Sequence, residues 1–448
     1  MAAAHYEQAE RFDEAASAYQ RASSEARRRG ALAEARTYLS QSLAQLAYSA
    51  SGPSRDHAER AARLERGLLT SAADGYQSRA AAVDFERCLQ LAGTDLRDDE
   101  LFAALVAVVG YFTVRADLRR VAQLIESLRT GLEHGDQARR AVIAEMAGVL
   151  AFRRGEFSDA HSHFEEALVG LAGEDVRRID AVWRNLTDPE THARMHLGVV
   201  HLFRGDLAGA DGLLTQAAQR ATDQAFPRGP YSLAFTRSLQ TWMHMEAGHL
   251  DRAGALAAEV SELAERHGFD QWRLEGDTCR AAVDGLTAVA EGDTTLNSHI
   301  DTLRSLLETW RTLEINRFRT YYDAVLSRLL SAAGQPEAAR GRLDTALQFA
   351  RTTQMHFYDA ELLRLRGSVQ KDPTDRQADV DGAIQLARRQ GATLFELRAA
   401  LDDYALRGAP ARLALMSVVE RMPADSILTE MARARDALGL AQPETPGL

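Results

Sequence analysis

Lysine is almost absent from the sequence. Among 448 residues it occurs once, at position 371, although lysine and arginine together number 53. A phosphate-binding P-loop needs a lysine at the end of a glycine-rich turn, and Schiff-base enzymes and protein kinases need a lysine in a defined place. Lys371 is followed by Asp372 and Pro373, with no glycine-rich run before it. P-loop ATPase activity and other lysine-dependent chemistry are therefore excluded for this chain.

Cysteine and long apolar runs are also scarce. The two cysteines, Cys88 and Cys279, stand far apart in stretches of helical pattern, which indicates neither a disulfide framework nor a metal cluster. No run of 18 uncharged apolar residues is present, and the first residues lack the pattern of a signal peptide. These features predict a protein of a reducing, cytoplasmic compartment.

An excess of positive charge is missing as well. The formal net charge is −11 at pH 7, and no basic arm or DNA-reading helix is recognisable. Proteins that bind nucleic acid usually do so through a basic patch or arm, so direct binding of nucleic acid is not expected. A membrane partner is not expected either.

A helical pattern recurs along the sequence. Proline numbers only 10, and helix-forming residues dominate. In the clearest copy, Gly148 precedes a turn at Gly155, Phe157 enters the next helix, and Ala160 and Phe164 follow on one face of that helix. This pattern predicts two antiparallel helices in close contact, with small residues such as Gly148 and Ala160 facing each other. The same frame recurs in stronger or weaker form around Ala15, Val121, Ala210, Ala253 and Ala339.

The spacing of the copies predicts two further elements. The gap between Ala253 and Ala339 is about twice the preceding one, so a degenerate copy is expected near Gly292. A shorter step to Ala35 predicts an additional helix after the first helix pair.

Loops and boundaries follow from small residues, prolines and charge. Loops are predicted at 49–54, 226–230 and 371–377. None is long enough to separate domains. We expect one continuous repeat array over residues 1–440 and a disordered tail at 441–448.

The repeated frame resembles the tetratricopeptide repeat, whose minimal unit has about 34 residues. The units here are longer, which implies longer helices or longer loops. The resemblance implies an all-α, right-handed superhelical solenoid of antiparallel helix pairs with a concave groove that binds partners.

Three phrases carry a closer resemblance: AHYEQA at 4–9, HFYDAEL at 356–362 and ARRQGA at 387–392. Similar phrases occur in this order in the C-terminal repeat region of large bacterial, often actinobacterial, regulators. In those proteins a nucleotide-switch ATPase precedes tetratricopeptide repeats, in many cases with an adenylate cyclase or helix-turn-helix module. The chain has none of those modules, so we expect either part of a longer regulator or the product of a separate gene.

The best candidate metal site comprises His192, His196 and His201 with Glu190 nearby. Residues four apart share a helix face, and imidazoles bind zinc. However, no glutamate stands between the first two histidines, where a zinc protease holds its base, and His201 falls at an aromatic core position of the repeat. We predict no metal site and no cofactor.

The candidate partner-binding residues lie in the second half of the chain, and most of them are aromatic or arginine. Their composition is typical of a recognition surface, although each could instead pack in the core between repeats. A carboxylate clamp for chaperone tails is disfavoured, because the sequence offers one lysine and three asparagines. The candidates are Phe235, Trp242, Met245, Trp272, Arg317, Tyr321, Tyr358 and Glu361.

These observations predict a non-catalytic module. A protein partner or small effector would fill the groove, shift the curvature of the superhelix, and so regulate an attached or associated ATPase, cyclase or transcription factor. The first alternative is a pure scaffold for protein assembly. A metal-dependent hydrolase that uses His192, His196 and Glu190 is the less favoured alternative.

Overall fold

A computed structural model describes residues 2–91, 96, 98–132, 137–172, 186–293, 295–423, 426 and 428–440. The predicted tail at 441–448 lies outside the described residues. Within the described part, the chain is all α-helical apart from turns and a 3-10 turn at Ala409–Ala411, and no strand is present. Every helix in that part is too short or too polar to span a bilayer.

The described part of the chain contains 22 α-helices. In chain order they are α1 Ala2–Gln8, α2 Phe12–Arg28, α3 Leu32–Leu46, α4 Pro53–Asp74, α5 Arg79–Leu91, α6 Asp99–Val114, α7 Leu118–Gly131, α8 Gln137–Arg154, α9 Phe157–Leu171, α10 Pro189–Phe203, α11 Leu207–Thr222, α12 Arg228–Glu246, α13 Leu250–His267, α14 Asp270–Glu291, α15 Leu296–Thr312, α16 Arg319–Ala332, α17 Pro336–Thr353, α18 Asp359–Val369, α19 Pro373–Gln390, α20 Thr393–Arg407, α21 Arg412–Arg421 and α22 Thr429–Leu438. Consecutive helices pack against each other in pairs. The predicted all-α, tetratricopeptide-like array of helix pairs is confirmed.

The turn positions inferred from the repeat frame are confirmed in detail. Gly155 has a φ of +74° between α8 and α9, a conformation that L side chains rarely adopt. Gly292 has a φ of +70° and ends α14, so the degenerate copy lies where the spacing predicts it. The additional helix around Ala35 is α3.

Two predicted loops are wrong for most of their length. In the predicted loop 226–230, residues 228–230 lie in α12, which begins at Arg228. The stretch 371–377 belongs mostly to α19, which begins at Pro373. Proline is favoured at the first helical position, because a backbone N–H there would have no intrahelical acceptor and its loss costs nothing. Asp372 caps the helix by accepting hydrogen bonds from the backbone N–H groups of Thr374 and Asp375.

Close contact within a pair depends on glycine. A Cβ added at Gly148 of α8 would lie 2.6 Å from the Phe164 ring of α9. The close approach is as predicted, but the residue that Gly148 accommodates is Phe164 rather than Ala160.

Gly148→Ala is expected to lower the free energy of unfolding by about 1–3 kcal/mol, because the added methyl group overpacks a buried contact. The matched control is Gly212→Ala in α11, where no atom lies within 4 Å of the added Cβ. That variant is expected to be more stable by about 0.5–1 kcal/mol, since alanine favours a helix over glycine. Urea denaturation measures both, and equal effects would contradict the packing described.

The first helix of a pair is buried on nearly all sides. Fifteen residues of α8 and fifteen of α12 are buried, although each of these helices has fewer than twenty residues. The second helices, such as α13, are buried along one stripe only. A helix that is apolar all round has neighbours on every side. The first helices therefore pack against more than their own partner.

Segments far apart in sequence meet at the inner face formed by these first helices. The backbone N–H of Asn316 donates to the carbonyl of Val114 at 2.8 Å, and the N–H of Phe357 donates to the carbonyl of Arg153 at 3.2 Å. Helix α4 packs on α14, and α10 packs on α20. The array thus folds back on itself, and its own side chains fill much of the inner face.

Candidate functional site

All eight side chains predicted to bind a partner are buried. The least buried, Phe235, is 7% exposed. The expectation that they line an open groove is wrong for this arrangement, because the array folds back and covers them. Ligand binding by these residues stays a prediction. Their packing separates them into three groups: Trp242, Tyr321 and Tyr358 in an aromatic cluster, Phe235, Trp272 and Arg317 at a cavity, and Met245 and Glu361 at a polar pocket.

Trp242 of α12 is the centre of the aromatic cluster. It is 3% exposed, and its ring centroid lies 4.5 Å from that of Tyr321. Aromatic pairs at such distances are stabilised by both burial and ring electrostatics. Its further ring neighbours come from three other parts of the chain: Phe203, Phe318, Phe357 and Tyr358. The cluster therefore joins helix pairs that are not neighbours in sequence.

A cavity lies beside this cluster, between α6, α8, α10, α12 and α14. Its free volume is about 120 Å³. Most of the lining surface is apolar, although eight of the principal lining residues carry a polar group. The principal lining residues are Tyr76, Val106, Val109, Val142, Glu145, Met146, Val149, Arg153, His192, His196, Tyr231, Phe235, Trp272 and Arg317.

Two arginines at the cavity differ in their partners. Arg317 donates to Glu275 at 2.5 Å, and Tyr322 donates to the same carboxylate at 3.0 Å. Arg153 is 2% exposed and donates to the backbone carbonyl of Arg317. Its guanidinium lies 4.5 Å over the ring of Phe318, and its Nε has no hydrogen-bond partner. Among the described residues, no carboxylate forms an ion pair with Arg153, and burial lowers its pKa to about 9.

Two histidines of the rejected metal site, His192 and His196, occupy one wall of the cavity. His192 Nδ1 is hydrogen-bonded to Glu145, and the His192 and His196 rings lie 4.4 Å apart. Burial lowers the pKa of His196, whose Nε2 has no hydrogen-bond partner. His201 is instead hydrogen-bonded to Asp206 at 2.8 Å. The structure brings two of the three histidines together, and no group of three possible metal ligands is found among the described residues.

A second pocket, of about 250 Å³, is polar and lies near the end of α12. Arg398 of α20 is its central group. The arginine donates to Glu246 at 2.5 Å, to Glu430 at 2.7 Å and to the backbone carbonyl of Glu246 at 2.8 Å. Burial alone would raise the pKa of Glu361, but Arg364, and then Arg398, lower it to about 2. The buried charges of this pocket are thus paired with one another.

His244 at the end of α12 makes stability depend on pH. Burial and the neighbouring Arg252 lower its pKa from 6.5 to about 4, because Nε2 accepts a hydrogen bond from Arg252 and loses that role when protonated. The unfolded chain binds a proton at this residue near pH 6.5, whereas the folded chain does not until about pH 4. Its contribution to stability is therefore present above pH 6.5 and is lost as the pH falls towards 4.

Between pH 6.5 and 4.5, the free energy of unfolding of His244→Gln is expected to fall by about 1–2 kcal/mol less than that of the wild type. The reason is that the glutamine oxygen still accepts a hydrogen bond from Arg252 without taking up a proton. Urea denaturation at both pH values measures the difference. The control is His57→Gln at a histidine whose side chain is 67% exposed, which is expected to follow the wild type. Parallel behaviour of His244→Gln and the wild type would contradict the assignment.

Sequence reasoning missed Arg153, Glu145 and Tyr76 at the cavity. Arg153 stands at the end of α8 beside Arg154, where a basic pair is typical of a helix C-terminus in solvent. The available signal was the nearly unbroken apolar run from Val142 to Phe152, which indicates a helix buried on all sides and hence a buried residue after it.

No protein-family model matches the sequence, and no curated protein matches it. Solved structures of helical repeat proteins show partial similarity. The Rap conjugation gene regulator of the plasmid pLS20, in complex with the Phr* peptide, is 14% identical with a TM-score of 0.49, over 88% of this chain and 100% of that chain. Yeast Tom70 is 12% identical with a TM-score of 0.38, over 97% of this chain and 94% of that chain. The TPR domain of P58(IPK) is 12% identical with a TM-score of 0.25, over 91% of this chain and 98% of that chain. Scores below 0.5 do not establish a shared fold, and the helix-pair architecture rests on the helices of this chain.

Proposed function

We propose that the chain is a non-catalytic, effector-sensing repeat module. A small effector occupies the cavity at the inner face and stabilises the arrangement in which the array is folded back on itself. The resulting change in shape regulates an attached or associated ATPase, cyclase or transcription factor. The observation that supports this most is a cavity walled by helices from distant parts of the chain. It contains a buried arginine that has no carboxylate partner in the described part of the chain.

A ligand in the cavity would affect the shape of the whole array, because the cavity walls come from distant parts of the chain. The lining residues extend in sequence from Tyr76 to Arg317. A molecule inside contacts α6, α8, α12 and α14 at once, and these contacts exist only while the array is folded back. A ligand shifts a conformational equilibrium by its difference in affinity for the two states, so this ligand favours the folded-back state.

The free energy that a bound effector supplies is large enough for regulation. An effector at 100 times its Kd stabilises the state that binds it by about 2.7 kcal/mol. Coupling between sites in regulatory proteins is typically about 1–3 kcal/mol. Occupancy of one cavity is therefore sufficient to change the population of the folded-back state substantially.

The experiment combines a screen of small metabolites by thermal shift with small-angle scattering and limited proteolysis of the full chain. We expect a ligand that raises the Tm also to change the scattering curve and to protect the inner turns near Val114 and Asn316 from cleavage. If every ligand and every captured protein partner leaves the scattering and the cleavage pattern unchanged, sensing is refuted and the scaffold alternative is favoured.

A further inference from the structure

The cavity contains one positive charge, Arg153, that no carboxylate among the described residues neutralises. Arg153 is 2% exposed, and the one hydrogen bond that its side chain makes within the described part of the chain is donated to a backbone carbonyl. A buried charge is normally paired, because taking it out of water is unfavourable unless another charge or several hydrogen bonds compensate. Among the described residues, Nε has no hydrogen-bond partner. Among the described residues, the Arg153 guanidinium therefore has no anionic partner.

The other charged groups at the cavity are already engaged. Arg317 is paired with Glu275, and Glu145 is hydrogen-bonded to His192. The remaining titratable groups that line the space are His196 and the hydroxyls of Tyr76 and Tyr231. None of them supplies a carboxylate to Arg153. An anionic group that entered the cavity could therefore form an ion pair with Arg153.

The rest of the cavity is suited to an apolar body. Beyond the polar groups it is lined by Val106, Val109, Val142, Met146, Val149 and Phe235. Its free volume is about 120 Å³. An apolar cavity of roughly 150 Å³ holds benzene, so the apolar body that fits this smaller cavity has at most about six non-hydrogen atoms.

We infer that the cavity binds a small organic monocarboxylate, with its carboxylate on Arg153 and its branched or aromatic body among the valines and aromatic rings. A planar guanidinium recognises a carboxylate through two parallel hydrogen bonds, which a hydroxyl or amide does not reproduce. This inference rests on the proposed function, since it names the chemical class of the effector.

Arg153 also connects the ligand to the folded-back arrangement. The arginine donates to the carbonyl of Arg317, and its own backbone carbonyl accepts from Phe357. A carboxylate bound to the guanidinium is therefore connected through Arg153 to Arg317 and to Phe357. Arg153 and Arg317 lie more than 150 residues apart in sequence. The ligand would neutralise the charge where these parts meet.

The test is calorimetric titration of the full chain with 3-methylbutanoate and with benzoate, each compared with its neutral amide. We expect at least one carboxylate to bind and its amide to bind about 10- to 100-fold more weakly, the difference expected for charge-assisted hydrogen bonds. Equal affinity for carboxylate and amide, or no binding of either carboxylate at millimolar concentration, would overturn the inference.

Variants at the arginine give a second test. Arg153→Met keeps an unbranched apolar stem, although a shorter one, and removes the charge. It is expected to weaken carboxylate binding by about 10- to 100-fold while leaving amide binding unchanged. Arg153→Lys keeps the charge without the planar fork and is expected to retain part of the affinity. The matched control is Arg154→Met at the adjacent residue, which does not line the cavity and is expected to bind like the wild type. An equal loss in both methionine variants would contradict the assignment.

The site and the proposed function fail in different ways. If a carboxylate binds in an Arg153-dependent manner but the scattering curve stays the same, the site stands and effector sensing fails. If another molecule changes the scattering curve while neither carboxylate binds, sensing stands and the carboxylate site fails.

Discussion

Trp242→Ala is expected to lower the free energy of unfolding by about 3–5 kcal/mol and to expand the molecule. The ring is 3% exposed and contacts aromatic side chains from three other parts of the chain. Its loss leaves a cavity among Phe203, Tyr321 and Phe357 and weakens the contact between helix pairs that are not sequence neighbours. Chemical denaturation measures the first effect, and the radius of gyration from small-angle scattering measures the second.

Trp310→Ala is the matched control for this variant. Trp310 is 2% exposed, but its Nε1 donates to Thr278 of α14 at 3.1 Å and its ring packs against Tyr322 of α16, both in adjoining helices. The same residue type is removed from a similarly buried position, so a comparable loss of stability is expected. The radius of gyration should stay at the wild-type value. Equal expansion of both variants would show that Trp242 has no special role at the inner face.

Arg398→Met is expected to destabilise the protein by about 3–5 kcal/mol, because it removes one partner of a buried ion pair and leaves the carboxylates behind. The side chain of Glu246 is 1% exposed, and Arg398 is its cationic partner across 152 residues of sequence. Tyr358 also donates to Glu246 at 2.9 Å. Denaturation by urea at pH 7 measures the loss.

Two further variants test this explanation. Adding Glu246→Gln to Arg398→Met removes one of the orphaned charges and is expected to restore part of the stability. Arg311→Met removes a surface pair with Glu308, whose side chains are 64% and 49% exposed, and is expected to change the free energy of unfolding by less than about 0.5 kcal/mol. If Arg398→Met is as mild as the surface variant, the buried network does not hold α12 and α20 together.

The fold could be predicted because its determinants are local. Turn glycines such as Gly155, and apolar positions three and four residues apart, recur within each helix pair and need no knowledge of distant segments. The exception at 371–377 is also local: Pro373 can either break a helix or begin one, and the cap formed by Asp372 decides for the second.

The candidate site was harder to predict because its determinants are not local. Trp242 and Tyr321 lie on first helices, α12 and α16, but the repeat frame gives no information about how tightly the array coils. Whether such residues face solvent or each other depends on contacts such as that between Val114 and Asn316, which join distant repeats. The same contacts bury Arg153, whose sequence context suggests an exposed helix end.

The most direct test of the account is the distance across the inner face. Arg79 and Glu314 form an ion pair at 3.4 Å between distant parts of the chain, and Arg79 is 80% exposed. Spin labels can be attached through Arg79→Cys and Glu314→Cys, since Cys88 and Cys279 are buried and burial raises the pKa of the Cys88 thiol to about 12. The account predicts a short, narrow distance distribution in the wild-type background and a longer, broader one with Trp242→Ala. A long, broad distribution in the wild-type background would contradict it.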